Sequence, residues 1–414
     1  MIKKIVLWSC ILCLIFGLYS CQATDILTGE ETPDKEWDLI VESGSNTTVN
    51  LYVTEADEKM RAWLSSKYYN QLKTLYNIEL NVKIMTQDDI ISIVETELLN
   101  EVKDGVIDIL ILKDDEFRTF YDKGLLYSEI SDKVLNFDDR LNKLTLDIKS
   151  EHGFPLESYA VPFGREQMVL TFDEDELETF PVSTEELMSF AKDNPQTFTY
   201  PNPMLDEVGG EFVRTVIYEI VGAENMEALF EAEVAIETVE EIIMPGLNYL
   251  KELDQYLYKE EGAYLKGIED VNYAFFNGDL YFSMSHDYSY ITDAIKNEVY
   301  PDGARNFLFD QGTIMDTFYF AVPVNASNKT GAILAIHEML SLDMQVDKYT
   351  PASWGNLPVL DTNLIGEADA EKFEKASLKR HSVRVEELAT KRYHELPKDV
   401  ILMINDLWEI HVNQ

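Results

Sequence analysis

All three cysteines of this 414-residue chain, Cys10, Cys13 and Cys21, fall within its first 21 residues. A fold that begins beyond them can close no internal disulfide and hold no structural cysteine-zinc site. It has no thiol nucleophile either. Burial of a core must therefore supply its stability. The chain is long enough for two or three domains, since single cores stop growing at about 250–300 residues. Its 46% hydrophobic and 11% aromatic content is that of a packed globule, not of a disordered chain.

Lys3 and Lys4 precede an apolar run from Ile5 to Tyr19, the charged and apolar regions of an export signal. The run falls short of the ~20 residues that span a bilayer. It closes on Leu18-Tyr19-Ser20-Cys21, which resembles the lipobox of bacterial lipoproteins. The resemblance implies that residues 1–20 are a signal peptide and that Cys21 is the lipidated start of the mature chain. The protein is then expected on the cell membrane, lipid-anchored and facing the extracellular or periplasmic side. Residues 21–36 are polar and rich in turn formers, a tether that lets a folded body stand clear of the lipid.

The formal net charge is −42. A field of that size disfavours nucleic acid and anionic membrane surfaces as partners. It fits either a cationic ligand or a saline or alkaline habitat, and the acidity is spread along the whole chain.

Thr48–Thr54 alternates with period two and predicts a strand. Met60, Trp63, Leu64, Leu72, Leu75 and Tyr76 recur at helical spacing. Ile78–Met85 predicts a second strand, Asp88–Lys103 a second helix, and Ile107–Leu112 an apolar strand of the kind found inside a parallel sheet. This alternation is that of an α/β fold. Later, Tyr159–Phe172 reads as one long extended stretch broken by Pro162 and Gly164. Thr184 reads as an N-cap, with helices following at about 209–222 and 238–258. Leu280–Ser285 is a strand, and Thr317–Val324 is a second Pro-bearing extended stretch before a helix from Thr330 to Leu342. Two such stretches bracketing some 150 residues suggest an inserted second lobe joined by two crossing strands.

Enzyme signatures are absent. His337-Glu338 and His394-Glu395 begin like zinc-protease helices but lack the second histidine, and no GxSxG, P-loop or GxGxxG occurs. Neither a catalytic set, a cofactor nor a metal site is expected.

Five stretches, taken in order, resemble the extracellular solute-binding proteins of bacterial ABC importers, and most nearly the YnjB-like family. They are Phe198-Thr199-Tyr200-Pro201-Asn202-Pro203; Gly209-Gly210 with Phe212; Phe276-Asn277-Gly278-Asp279 through Phe282-Ser283-Met284-Ser285; Ala321-Val322-Pro323-Val324-Asn325-Ala326; and Trp354-Gly355-Asn356 with Val359-Leu360. The loops Thr54–Asp57 and Ile111–Phe117 differ from the family's. The resemblance implies a two-lobed fold of the periplasmic-binding-protein type II kind, with a hinge and a ligand cleft between lobes. Expected boundaries are 37–162 and 319–360 for lobe 1, 163–318 for lobe 2, and 361–414 for a C-terminal helical segment bracing both. It also implies a small solute and an ABC permease as partners, with the protein acting as a monomer.

In this topology ligands meet strand ends and helix N-termini. Glu55 and Asp57 follow the first strand; Asp114, Asp115 and Glu116 follow the third. Arg165, Glu166 and Gln167 lie on the first crossing. Tyr200, Asn202, Gly209, Gly210, Ser283, Ser285 and His286 belong to the second lobe. Asp316 and Tyr319 precede or begin the return, and Trp354 follows it. Of these, Glu55, Asp57, Asp114, Glu116, Arg165, Gln167, Tyr200, Asn202, Gly209, Gly210, Ser285, Tyr319 and Trp354 are the expected ligand contacts. Helix capping by the acidic run, and packing by Tyr200 and Trp354, are the plainer alternatives. Acidic loops with aromatic residues suit a small organic cation, such as a thiamine-like compound or a polyamine; sugars would also use the aromatics. A sensory or scaffolding lipoprotein and a cell-envelope hydrolase using two carboxylates are the rival classes.

Overall fold

The computed structural model describes residues 33–134, 156–231, 234–361, 364–377 and 381–413. Cys21, the signal-like run and most of the expected tether lie outside them. Among the described residues the strands are β1 (Thr48–Val53), β2 (Glu79–Ile84), β3 (Ile109–Leu112), β4 (Ala160–Gln167), β5 (Val169–Asp173), β6 (Phe282–Ser285), β7 (Ala304–Phe307), β8 (Thr313–Ala321) and β9 (Arg392–His394).

They form two sheets. The first runs β2-β1-β3-β8-β4, with β9 added to β8. Its first three strands are parallel, whereas β8 joins β3 and β4 antiparallel. Every residue of Ile109–Leu112 is buried, as a strand covered on both faces requires. Leu51, Val53, Ile109 and Ile111 face one layer, made by the helices Pro33–Gly44 and Lys329–Met339 and by the helical run from Glu58 to Tyr76. Tyr52, Leu110 and Leu112 face the other, made by the helices Gln87–Leu99 and Asp114–Asp122. The helical run contains one π turn, Leu64–Tyr68, so it is less regular than its periodicity predicts.

The second sheet is antiparallel, β6-β5-β7. It packs on the helices Glu207–Val221 and Ile236–Asp254 and on the last helix, Lys398–His411. Trp408 of that helix is fully buried and donates Nε1–H to Tyr200 Oη at 3.1 Å. The C-terminal segment thus reaches both sheets: β9 pairs with β8, and its final helix enters the second core.

The long stretch Tyr159–Phe172 proves to be two strands in different sheets. β4 belongs to the first and β5 to the second, with Met168 between them. β8 is buried along its whole length; Phe318 and Phe320 lie in the first core and Ile314 in the second. β4 and β8 pair within the first sheet; the chain passes to the second sheet at Met168, after β4, and returns between β7 and β8. Gly164 does not turn the chain. It stays within β4 beside a register shift, and a Cβ there would stand 1.9 Å from Asn356 Oδ1. Lys348, fully buried, donates to that same oxygen and to Leu357 O, each at 2.8 Å. Burial, reinforced by nearby Arg165, pulls its ammonium well below the ordinary lysine value.

Smaller departures concern helix ends. Ser183, not Thr184, caps the helix Thr184–Asp193, accepting from Glu186 N. The helix expected to reach Leu342 stops at Met339, and Ser341 caps a new one, Leu342–Tyr349.

Gly209 explains part of the Pro201–Phe212 pattern. A Cβ at Gly209 would lie 2.1 Å from Pro201 O, a backbone atom that cannot swing aside. Gly209→Ala should destabilise the protein by about 1–3 kcal/mol through overpacking, read as a lower denaturation midpoint at unchanged m-value. A loss below about 0.5 kcal/mol would contradict this close approach.

Candidate ligand cleft between the sheets

A cavity of about 240 Å³ opens where the ends of β1 and β3 face the helix Glu207–Val221 and the last helix. Its walls come from three directions. The first sheet gives Val53, Thr54, Glu55, Lys113, Glu116, Asp316 and Phe318; the second-lobe helix gives Glu207, Gly210 and Arg214; and the C-terminal segment gives Glu395, Lys398, Leu402 and Asn405. These are the carboxyl ends of parallel strands and the N-terminal turns of a helix, where an open α/β sheet places its ligands.

Local structure sets each polar group. Asp206 caps the second-lobe helix, its carboxylate accepting from Val208 N at 2.9 Å and Gly209 N at 3.4 Å. That start sends Glu207, Glu211 and Arg214 down one face at helical spacing. Lys113 follows β3, and its backbone N–H donates to Glu116 Oε2 at 3.0 Å. Glu116 thereby closes the first turn of its helix, so the capping alternative holds for a residue that also lines the cavity.

Lys113 and Glu207 meet across the cleft at 3.3 Å, with Asp316 Oδ2 3.8 Å from the same ammonium. Behind them Arg214 donates Nη2–H to Glu395 Oε2 at 2.5 Å, both side chains being 4% exposed. Glu395 Oε1 accepts from Leu396 N at 2.7 Å. Glu207, Glu211 and Asp316 bring carboxylate oxygens within 4.8 Å of one another.

Such crowding moves proton affinities. Burial pushes Asp316 up to about 7, with Lys113 opposing, and burial pushes Glu166 up to about 7 in the same way. Glu211 is driven well above the usual carboxylate range by burial, then by Glu207 and Asp316. Glu207 goes down, held by the Lys113 charge. Burial alone would lower the Lys113 ammonium, but Glu207, Asp316, Glu166 and Glu211 together outweigh it and hold it well above normal. Asp287, after β6, is pushed up to about 6 by burial and by Glu166.

Of the residues expected from sequence, Glu55, Glu116 and Gly210 line the cavity. Asp57 caps the helix Glu58–Trp63, accepting from Met60 N at 2.6 Å, and its charge bears on Glu166. Asp114 opens its helix, and its side chain lies outside the described residues. Arg165 is buried in β4; it exchanges backbone hydrogen bonds with Leu357 and donates Nη2–H to Pro358 O at 2.8 Å. Gln167 ties the same strand to Thr313 Oγ1 and Lys391 O. Tyr200 lies in the second core, between Tyr264 and Trp408. Asn202 accepts from Met204 N, and Gly209 packs on Pro201. Ser285 bonds both the N–H and the C=O of Asp287. Tyr319 stands beside Phe117, and Trp354 packs among Trp63, Phe163 and Phe318. Sequence reasoning missed Lys113, Glu207, Arg214, Glu395 and Lys398.

Comparison with known proteins bears on this arrangement. Residues 67–372 match the family model described as bacterial extracellular solute-binding protein. YnjB of Escherichia coli K12 is 26% identical over 333 residues, covering 80% of this chain and 81% of that protein. Among solved structures, the spermidine/putrescine substrate-binding protein PotD of Streptococcus pneumoniae superposes with TM-score 0.59 at 10% identity, covering 89% of this chain and 98% of that one. The apo ferric ion-binding protein A of Pasteurella haemolytica gives TM-score 0.57 at 14% identity, covering 88% and 98%. At such identities the two structures speak for the fold alone: two α/β lobes with a cleft between them. The family match spans most of the chain, and the chain belongs to the bacterial extracellular solute-binding proteins.

Proposed function

We propose that this protein is a lipid-anchored receptor, tethered through Cys21, that captures a small solute between its lobes and delivers it to an ABC importer permease. The hinge lies at the ends of the β4–β8 pair, where the chain leaves the first sheet at Met168 and re-enters it at Thr313. Lobe 1 is then residues 37–167 and 313–360 and lobe 2 is 168–312, with the expected boundaries at 162/163 and 318/319 shifted to the ends of β4 and β8. One observation carries the reading. The cavity is walled by the strand ends of one sheet and the helix of the other, so a solute filling it touches both lobes. Such a solute stabilises the closed arrangement by its differential affinity for the two states. The lining carries more carboxylates than cations, Glu55, Glu116, Glu207, Asp316 and Glu395 against Lys113, Arg214 and Lys398. That balance suits a small organic cation. The protein performs no covalent chemistry in this role. Among the described residues no helix is long and apolar enough to cross a membrane.

A thermal-shift screen with organic cations, polyamines, amino acids, sugars, oxyanions and metals tests the proposal. A solute at 100 times its dissociation constant contributes roughly 2.7 kcal/mol, which raises the melting temperature by about 2–4 °C. One class should give a saturable shift. If no class shifts the refolded, solute-free protein, the receptor reading gives way to a scaffolding role for the same fold.

A further inference from the structure

The Lys113 ammonium reaches across the cleft yet makes no short ion pair with the carboxylates there. Its contacts with Glu207 and Asp316 are 3.3 and 3.8 Å, whereas a charge-assisted N–H···O bond closes to about 2.7–2.9 Å. Around it the cradle is under-used. Glu211 and Asp316 are 4% and 6% exposed, and Glu211 Oε2 and Asp316 Oδ1 are buried with no hydrogen-bond partner. Leaving such oxygens bare is unfavourable, and native proteins rarely tolerate it without a reason.

We propose that Glu207, Glu211 and Asp316 form a seat for a primary ammonium group, and that Lys113 fills it as a tethered occupant which an ammonium-bearing solute must displace. The inference rests on the receptor reading of the same cleft and names the group its solute presents. An alkylammonium has three N–H donors and no acceptor, and three converging carboxylates are its complement. Lys113 is anchored at the end of β3, so its stem dictates where its nitrogen sits. A free solute has no such constraint and can close to full hydrogen-bonding distance on Glu207 and Asp316, which line the cavity, with a Glu211 oxygen within 4.8 Å of theirs. A divalent metal fits less well. Lys113 stands within 4.0 Å of two of the three ligands, and Arg214 bears on Glu211 and Asp316 from behind. Calcium would further need six to eight oxygens.

Displacement has a mechanical consequence. Lys113 belongs to the first lobe and Glu207 to the second, so their contact ties the lobes without cargo. Solute entry exchanges that tie for one running through the solute.

The test removes the tether's charge and supplies it in solution. Lys113→Ala deletes three methylenes and the ammonium, the equivalent of n-propylammonium. The variant should melt below the wild-type protein, and ~10 mM n-propylammonium should raise its melting temperature saturably. The same salt should leave the wild-type protein, whose seat is filled, unshifted. Absence of rescue, equal rescue by n-propanol, an equal shift of the wild-type protein, or stabilisation by calcium chloride alone would each overturn the proposal. Should Lys113→Ala fail to fold, Lys113→Met, which lacks only the terminal ammonium, poses the same question with ammonium chloride and the same outcomes. The solute screen on the wild-type protein remains independent. A saturable shift by a sugar or an anion, with no rescue here, would keep the receptor and remove the ammonium seat.

Discussion

The solute-free protein should lose stability as pH rises from about 4 to about 7.5 and stay roughly level above that. Burial pushes Asp316 and Glu166 up to about 7 and Asp287 to about 6, and it drives Glu211 in the same direction. Across this window the native state holds protons that the unfolded chain, with ordinary carboxylates, has released. Stability therefore falls with pH, because the slope follows protons bound in the unfolded state minus those bound in the native state. A carboxyl raised from its ordinary value to about 7 corresponds to roughly 4 kcal/mol between the two ends of the window. The carboxylates interact, so that figure belongs to the cluster rather than to each member. Glu207 runs the other way, since Lys113 lowers its proton affinity; its contribution is present at neutral pH and lost on acidification. It is half-exposed, so screening keeps it small. Denaturant titrations at pH 5 and pH 8 read the difference, and Asp316→Asn should flatten it. A profile flat or rising between those values would show that these carboxyls are solvated in solution. The same protons report on cargo: a cationic solute should expel them and bind more tightly at pH 8 than at pH 6, and an anionic one should do the reverse.

The architecture was legible where burial leaves a two-residue or four-residue rhythm. β1 alternates between two covered faces, and Ile109–Leu112 is apolar throughout because it sits at the sheet's interior. The break at Met168 was not legible. The polar run Arg165-Glu166-Gln167 before it gives no exposed turn, because Arg165 and Gln167 are buried within β4, and the chain stays covered from Phe163 in the first core to Met168 and Leu170 in the second. The cleft was legible in position but not in membership. Glu55 and Glu116 follow from strand ends, whereas Tyr200 and Trp354 carry the ring sizes of binding residues and are core. One signal went unread. Glu207, Glu211 and Arg214 stand at i, i+4 and i+7 on a largely apolar helix, a charged stripe of which only Glu207 meets solvent. Glu395 and Lys398 had no such signal, since they reach the cavity from a segment about 180 residues further along the chain.

Replacing Arg214 by Met should produce the largest loss of any single side-chain change here, about 3–5 kcal/mol at pH 8. Its guanidinium is the buried counter-charge of Glu395, and it also moderates Glu211 and Asp316. Without it, three carboxylates face one another from a low-dielectric wall with Lys113 on one side only. They respond by binding protons, so the loss at pH 5 should be clearly smaller than at pH 8. Replacing both partners, Arg214→Met with Glu395→Met, should recover much of the stability at either pH, because a buried pair exchanged for apolar groups of similar volume is often neutral. A four-member cycle of denaturant titrations isolates the coupling. If Arg214→Met alone lost less than about 1 kcal/mol at pH 8, the pair would have to be solvated and worth no more than a surface bridge. The double variant bears on function as well. Arg214 and Glu395 both line the cavity, and Gly210, one turn earlier on the same helix as Arg214, leaves its Nη1 only 2.8 Å from where a Cβ would stand. A chain that recovers its stability through an apolar pair has kept the fold and lost the fixed charges of the wall. It should then bind its solute less tightly, which separates what the ion pair does for folding from what it does for the cleft.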